Sequence, residues 1–347
     1  MDARNAPVAF LVGAALLAAA CRTGPRPAQV SPSPTEAPRS VPAGSRLFLA
    51  GDGELWVVEA TTGTTRHVEA PHLSPGDPPH RIIRRNGALV AWGYRTLLLN
   101  PDRPTRPEVL AEDSWIFLPS STGNRVWVGV LDPETGGARG LGAVREMTVE
   151  GRVTVPDVRP PGGRWPVAAV HEGLVFQAAD GSALELWDPR SGEFLRRLPG
   201  LFPLAWAGHR LAWCDASCEE AHITDFSSGA DRVIPLPRGI FHFQGYEGAF
   251  SPDGRFLALV GLTDPNFDRA DYQLVLVDAE TGDAEAIRRT VVQPSYNFLD
   301  WSPSGESVFL TGSDARERRQ VVEYRPGEDE VRVLRVEGGN FYDMAVL

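Results

Sequence analysis

The chain has 347 residues, a formal net charge of −11 and 34 basic side chains, all of them arginine. An acidic chain with no dense basic run argues against a nucleic-acid partner. With 35 glycines, 30 prolines and no helical period beyond a turn or two after residue 20, a helical bundle is excluded and a turn-rich all-β protein is expected.

The chain opens on a segment separate from the fold. Arg4 is followed by the apolar run Pro7–Ala20, short for a membrane span and suited to a signal-peptide core. The run ends LLAAAC at Leu16–Cys21. This resembles a bacterial lipoprotein signal, in which small residues precede a cysteine that is lipidated and becomes the mature N-terminus. The resemblance implies lipidation, palmitate included, at Cys21 and a membrane contact through the lipid. Ala18 stands where that pattern prefers a larger aliphatic residue, and Asp2 partly cancels Arg4. Plain secretion and an uncleaved anchor therefore stay open. Arg22–Gly44 carries Pro25, Pro27, Pro32, Pro34, Pro38 and Pro42 and almost nothing apolar, so it reads as a disordered, partly extended tether. The domain plan is residues 1–20 signal peptide, 21–44 lipidated cysteine and tether, and 45–347 a folded domain.

From residue 45 onward the chain repeats one pattern, strand, turn, strand. Hairpins centre near residues 63, 104, 151, 192, 229, 281 and 327, spaced by about 44 residues, which matches the period of about 40–45 for a four-stranded propeller blade. The turns carry Pro, Asp and Gly, as tight reversals require. Blade 1 has RLFLAG, ELWVVEA and TTRHVEA, only three strands, so Asn340–Leu347 is expected to supply the missing innermost one and close the ring. Blade 2 holds Arg81–Asn86, Ala88–Gly93, TLLLN and a short strand near Val109. Blade 3 holds Ser114–Pro119, Arg125–Asp132, a glycine-rich insert and the hairpin around Gly151. Blades 4 and 5 read PVAAV, LVFQAA, ALELWD, FLRRL and PLAWAG, RLAWCD, AHITDF, RVIPL. Blades 6 and 7 begin AFSPDGRFLALV and WSPSGESVFL. The expectation is an all-β, seven-bladed propeller; the insert in blade 3 leaves six or eight open.

Candidate chemistry is scattered over several stretches of the chain. Cys214 and Cys218 are compatible with a disulfide in an exported protein, with free thiols, or with a metal pair helped by His209 and His222; the disulfide is expected. The insert Thr263–Asp271 puts Asp264, Asn266, Asp268 and Asp271 within eight residues, and alternating oxygens suit calcium. Arg269 stands where the calcium-loop pattern needs glycine, so a solvated rim loop is the competing reading. Trp165, in PPGGRWP, is the tryptophan expected at an exposed contact, whereas Trp56, Trp127, Trp187, Trp206 and Trp301 are expected to pack. His72 and His80 flank one proline-rich loop, and Asp102, Asp180, Asp215 and Asp300 are carboxylates that sequence does not place. No G-x-S-x-G, H-E-x-x-H or G-x-G-x-x-G motif occurs, so catalysis has no motif behind it. No cofactor is expected apart from calcium.

At AFSPDGRFLALV and WSPSGESVFL the chain resembles the WD40-like propeller repeat of the periplasmic Tol-system protein and of prolyl oligopeptidase propellers. LVLVDAETG and LELWDPRSG are similar to WD-repeat and quinoprotein-type blades. The resemblance covers the fold of Ser45–Leu347 and lacks both the hydrolase domain of the oligopeptidases and the N-terminal α/β domain of the Tol-type protein. The resulting expectation is a monomeric, membrane-tethered extracytoplasmic scaffold that binds an envelope protein or glycan. An enzyme acting on sugars or lactones is the alternative.

Overall fold

The computed structural model describes residues 45–347 save 52–53, 70–80, 86, 93–94, 105, 113, 132–140, 247, 268, 294–297, 329, 337–340 and 342. The expected signal peptide, Cys21, the tether, His72, His80, Asp268 and most of the blade 3 insert lie outside the described residues.

Seven antiparallel sheets form seven blades, six of four strands and one of five. Innermost strands are Arg81–Arg85, Ser114–Pro119, Pro166–Val170, Phe202–Ala207 and Leu299–Trp301 in blades 2, 3, 4, 5 and 7. Blade 1 closes as the sequence indicates. Asp343–Val346 pairs with Arg46–Gly51 in the register Leu47 to Val346 through Ala50 to Asp343. Two backbone hydrogen bonds between Arg46 and Leu347 extend that seam.

Blade 6 departs from the regular plan. Its inner position is filled by two short strands, His242–Phe243 and Ala249–Phe250, both paired with Phe256–Leu262. The chain bulges between them because Tyr246 has φ 66° and because Gly248 lies so close to Leu259 and the Leu204 and Ala258 carbonyls that a Cβ would not fit.

The reason the inner three strands of each blade read as nearly unbroken apolar runs is that both faces of a blade are covered. Side chains alternate: Phe48 and Ala50 enter a cluster with Ile82, Leu89 and Leu97 of blade 2, while Leu47 and Leu49 enter one with Phe309, Val321 and Leu334 of blade 7. One such cluster lies between every pair of neighbouring blades. Outermost strands lose one covered face, and Phe194, Leu195 and Val233 are exposed there.

Strand direction sorts the connections onto two faces. Loops joining the first to the second strand, and the third to the fourth, lie on a turn face. Loops joining the second to the third strand, and one blade to the next, lie on the opposite, loop face. The turn face is built from short, self-capped turns. In WDPRSG, TDFSSG and VDAETG the aspartate Oδ1 accepts N–H groups two or three residues on (Arg190, Ser227 and Ser228, Glu280 and Thr281). The glycine then takes a positive φ, 77° at Gly192 and 83° at Gly282. Those hydrogen bonds hold the Asp188 and Asp278 carboxyls below the ordinary carboxylate range.

Candidate functional site

Longer and irregular connections gather on the loop face. Among the described residues, the non-glycine residues with positive φ are Cys218, Tyr246, Arg289 and Glu317. Cys218, Arg289 and Glu317 sit in loop-face connections and Tyr246 in the bulge of the blade 6 inner strand, although on the turn face the same conformation is given to glycine. Residues held in this region cost about 1–3 kcal/mol each and persist only where surrounding structure fixes them.

Tyr246 lies at the loop-face mouth of the channel. Its N–H donates to the Pro203 carbonyl at 2.9 Å and its ring meets Phe202 edge-on at 6.0 Å, both in blade 5. Its hydroxyl accepts from Gln177 Nε2 of blade 4 at 3.2 Å. One side chain from blade 6 thus reaches across blade 5 to blade 4, and it is still 41% exposed. Outward from it, Phe241 is 43% and Phe267 60% exposed, and His242 stacks on Phe267 at 5.1 Å.

Cys214 and Cys218 form a disulfide with Cα atoms 5.0 Å apart. It closes a loop that Asp215 caps by accepting the Ser217 and Cys218 N–H groups. The loop then braces the aromatic rim. The Cys218 carbonyl accepts the Phe243 N–H at 2.9 Å, and the His242 Nδ1–H donates to the Ser217 carbonyl at 2.9 Å.

In the insert, Asp264 Oδ1 accepts the Asn266 N–H at 2.8 Å, and Thr263 bonds the Asp271 backbone in both directions. Among the described residues no three His, Cys, Asp or Glu side chains gather as a metal-ligand set. Trp165 is half-buried and packs with Val158, Trp187 and Trp206 against the cluster between blades 3 and 4. The structure does not bring the four unplaced aspartates together. Asp102 pairs with Arg46 on the turn face, Asp180 with Arg197 in a loop, Asp215 caps the disulfide loop, and Asp300 is on an inner strand.

A second charged group lies deep at the turn-face end of the channel. Arg84 Nη1 donates to the Val346 carbonyl at 3.0 Å, and Arg85 Nη2 to the Ser120 carbonyl at 2.9 Å. Asp300 accepts the Trp301 and Val346 N–H groups, each at 2.8 Å. Burial pushes the Asp300 carboxyl up, with Arg84 as the main opposing influence. Burial, reinforced by Arg84, lowers Arg85 to about 10. Sequence reasoning missed this group because RIIRRN reads as an ordinary strand. It missed Tyr246 because a lone tyrosine between glycines carries no motif, although two glycines one residue either side of Tyr-Glu did signal irregular backbone.

No protein-family model matches the chain, and no curated protein matches it. Solved structures do. A candidate 6-phosphogluconolactonase from Bacteroides uniformis is similar at TM-score 0.55 and 12% identity, over 87% of this chain and 99% of the other. AztD from Citrobacter koseri is similar at TM-score 0.51 and 13% identity, over 87% and 98%. TolB from Acinetobacter baumannii aligns at TM-score 0.48 and 13% identity, over 87% and 66%. Identities this low speak for the fold alone, and the first two likenesses together with the seven antiparallel sheets make this chain a seven-bladed β-propeller.

Proposed function

We propose that the chain is a membrane-tethered extracytoplasmic propeller that binds an envelope protein or glycan through its loop face. The observation that carries this reading is the segregation of exposed loop aromatics, Phe241, Tyr246 and Phe267, and of left-handed non-glycine residues onto that face. Binding surfaces are commonly built from irregular loops on a rigid scaffold. The disulfide fits an oxidising compartment. Arg46 bonds Leu347 at the end of the innermost strand, so the described chain begins at the turn face. A lipidated Cys21 followed by the tether would hold the folded domain at the membrane. Calcium at Asp264, Asn266, Asp268 and Asp271 would stiffen the insert that carries Phe267, and Trp165 lies on the same face as a further contact.

The alternative, an enzyme acting on sugars or lactones, is favoured by the Arg84, Arg85 and Asp300 group in the channel. Against it, both Asp300 oxygens already accept backbone N–H groups.

The test is photocross-linking in the native envelope from benzoylphenylalanine placed at Phe241, Phe267 or, on the turn face, Ser191. Adducts from the first two alone support the reading, and adducts from Ser191 alone refute it. Loss of palmitate incorporation in Cys21→Ser tests the anchor.

A further inference from the structure

We infer that the turn-face end of the channel binds a small oxyanion, a carboxylate or phosphate group, on Arg85 with Arg84 beside it. The site lies at the other end of the channel from the loop-face rim, and the inference is independent of the binding-scaffold reading.

Arg84 and Arg85 end the innermost strand of blade 2. Successive side chains of a strand leave on opposite sides. Arg84 turns toward blades 7 and 1, where its Nη1 donates to the Trp301 carbonyl at 3.4 Å and the Val346 carbonyl at 3.0 Å. Arg85 turns toward blade 3, where its Nη2 donates to the Ser120 carbonyl at 2.9 Å. These acceptors are neutral backbone oxygens. Neither arginine has an ion-pair partner among the described residues. The Arg85 Nε is buried and has no hydrogen-bond partner there either. Arg85 thus uses a single N–H of the several that a guanidinium carries.

The carboxylates around this space are engaged elsewhere. Both Asp300 oxygens accept backbone N–H groups, those of Trp301 and Val346. Asp343, on the closing strand, accepts the N–H groups of Ile82 and Met344. Glu146, behind Ser120, is held by the Ser120 and Thr154 hydroxyls and by Arg125. The Leu347 carbonyl accepts the Arg46 N–H. Burial, reinforced by Arg84, lowers Arg85 to about 10, and among the described residues Asp300 is the one charge opposing that. Two arginines against one carboxylate leave an excess of positive charge in a partly desolvated space.

An oxyanion supplies what this group lacks. The planar guanidinium fork matches the paired oxygens of a carboxylate or phosphate and binds them through charge-assisted hydrogen bonds. Those bonds are stronger in a channel of low dielectric than in open water. Both arginines are half-buried rather than sealed, so a small anion can reach their outer nitrogens. The sign of the excess charge disfavours a metal cation at this place.

The experiment titrates sodium acetate and sodium phosphate separately into the full chain at neutral pH, with ionic strength held constant by sodium chloride. Binding is read from the arginine Nε–H resonances of isotope-labelled protein and from the melting temperature, which a ligand of the native state raises. The Arg85 resonance, assigned by its loss in Arg85→Gln, is expected to shift saturably with one or both anions. Glutamine keeps a donor for the Ser120 carbonyl, so Arg85→Gln is expected to fold with its melting temperature in chloride preserved. Its affinity for the anion is expected to fall at least about tenfold. The anion that binds more tightly identifies the group. Equal stabilisation of the native chain and Arg85→Gln by the anion overturns the inference. So does an Arg85 resonance that neither anion moves, or that chloride alone moves as far.

Discussion

The carboxylate of Asp300 accepts the backbone N–H of Val346 at 2.8 Å, joining the inner strand of blade 7 to the C-terminal strand that completes blade 1. Asp343 repeats the device one blade on, accepting the Ile82 N–H of blade 2 at 2.8 Å. Ring closure therefore rests on side-chain clasps between inner strands as well as on sheet pairing.

Deleting residues 343–347 removes both the clasp and the buried Met344, Ala345 and Val346. Losing a buried Met or Val side chain costs about 1–5 kcal/mol, and a new edge is opened in blade 1 as well. Against a total stability of about 5–15 kcal/mol, the truncated chain is expected to lose cooperative unfolding. Urea titration followed by circular dichroism checks this; an unchanged midpoint would show the tail to be dispensable.

Asp300 predicts a pH signature. Its folded carboxyl lies above the ordinary value near 3.8. Between those two values the native state holds a proton the unfolded chain has released. Its contribution to stability therefore falls as pH rises through that window and is flat above it, at a slope of at most about 1.4 kcal/mol per pH unit. The difference in urea midpoint energy between the native chain and Asp300→Asn should show that fall. Asp278 and Asp253 are held below their ordinary value by hydrogen bonds, so their contribution is lost as pH falls beneath it. A difference that is flat across the acid range would refute the assignment for Asp300.

Two glycines separate conformation from space. A Cβ on Gly173 would lie 2.1 Å from the Trp187 carbonyl oxygen, which is backbone and part of the strand pairing. A Cβ on Gly87 meets nothing within 4 Å, but φ there is +74°. Gly87→Ala is expected to cost about 1 kcal/mol, and Gly173→Ala at least about 3 kcal/mol. Thermal unfolding of the pair checks the order, and equal losses would contradict it.

Reducing the disulfide, or replacing it by Cys214→Ser with Cys218→Ser, frees a very short loop. Loop-closure entropy assigns this about 2 kcal/mol. The sharper expectation is local. The Phe243 N–H, which donates to the Cys218 carbonyl, should exchange with deuterium faster while amides of blades 1 and 2 keep their protection. Uniform loss of protection would mean that the bridge supports the whole ring rather than the rim.

The fold was legible in the sequence because its causes are local. The hairpin turns are specified locally, by an Asp and a Gly four residues apart in blades 4, 5 and 6, as in Asp278–Gly282, and the apolar runs are continuous because each blade has neighbours on both sides. Even ring closure could be read, since blade 1 lacked a strand and Phe341, Met344 and Val346 had nowhere else to be buried. The candidate site was legible only in part. Cys214 and Cys218 are near enough in sequence for their pairing to be anticipated, and the insert around Phe267 stood out by its polarity. Tyr246 with Gln177, Asp300 with Val346 and Arg84 with the channel are pairs separated by dozens to hundreds of residues. Which of them meet depends on the order and tilt of the blades around the ring, and on where blade 6 breaks its inner strand. Those are properties of the closed ring, and no local pattern in the chain encodes them.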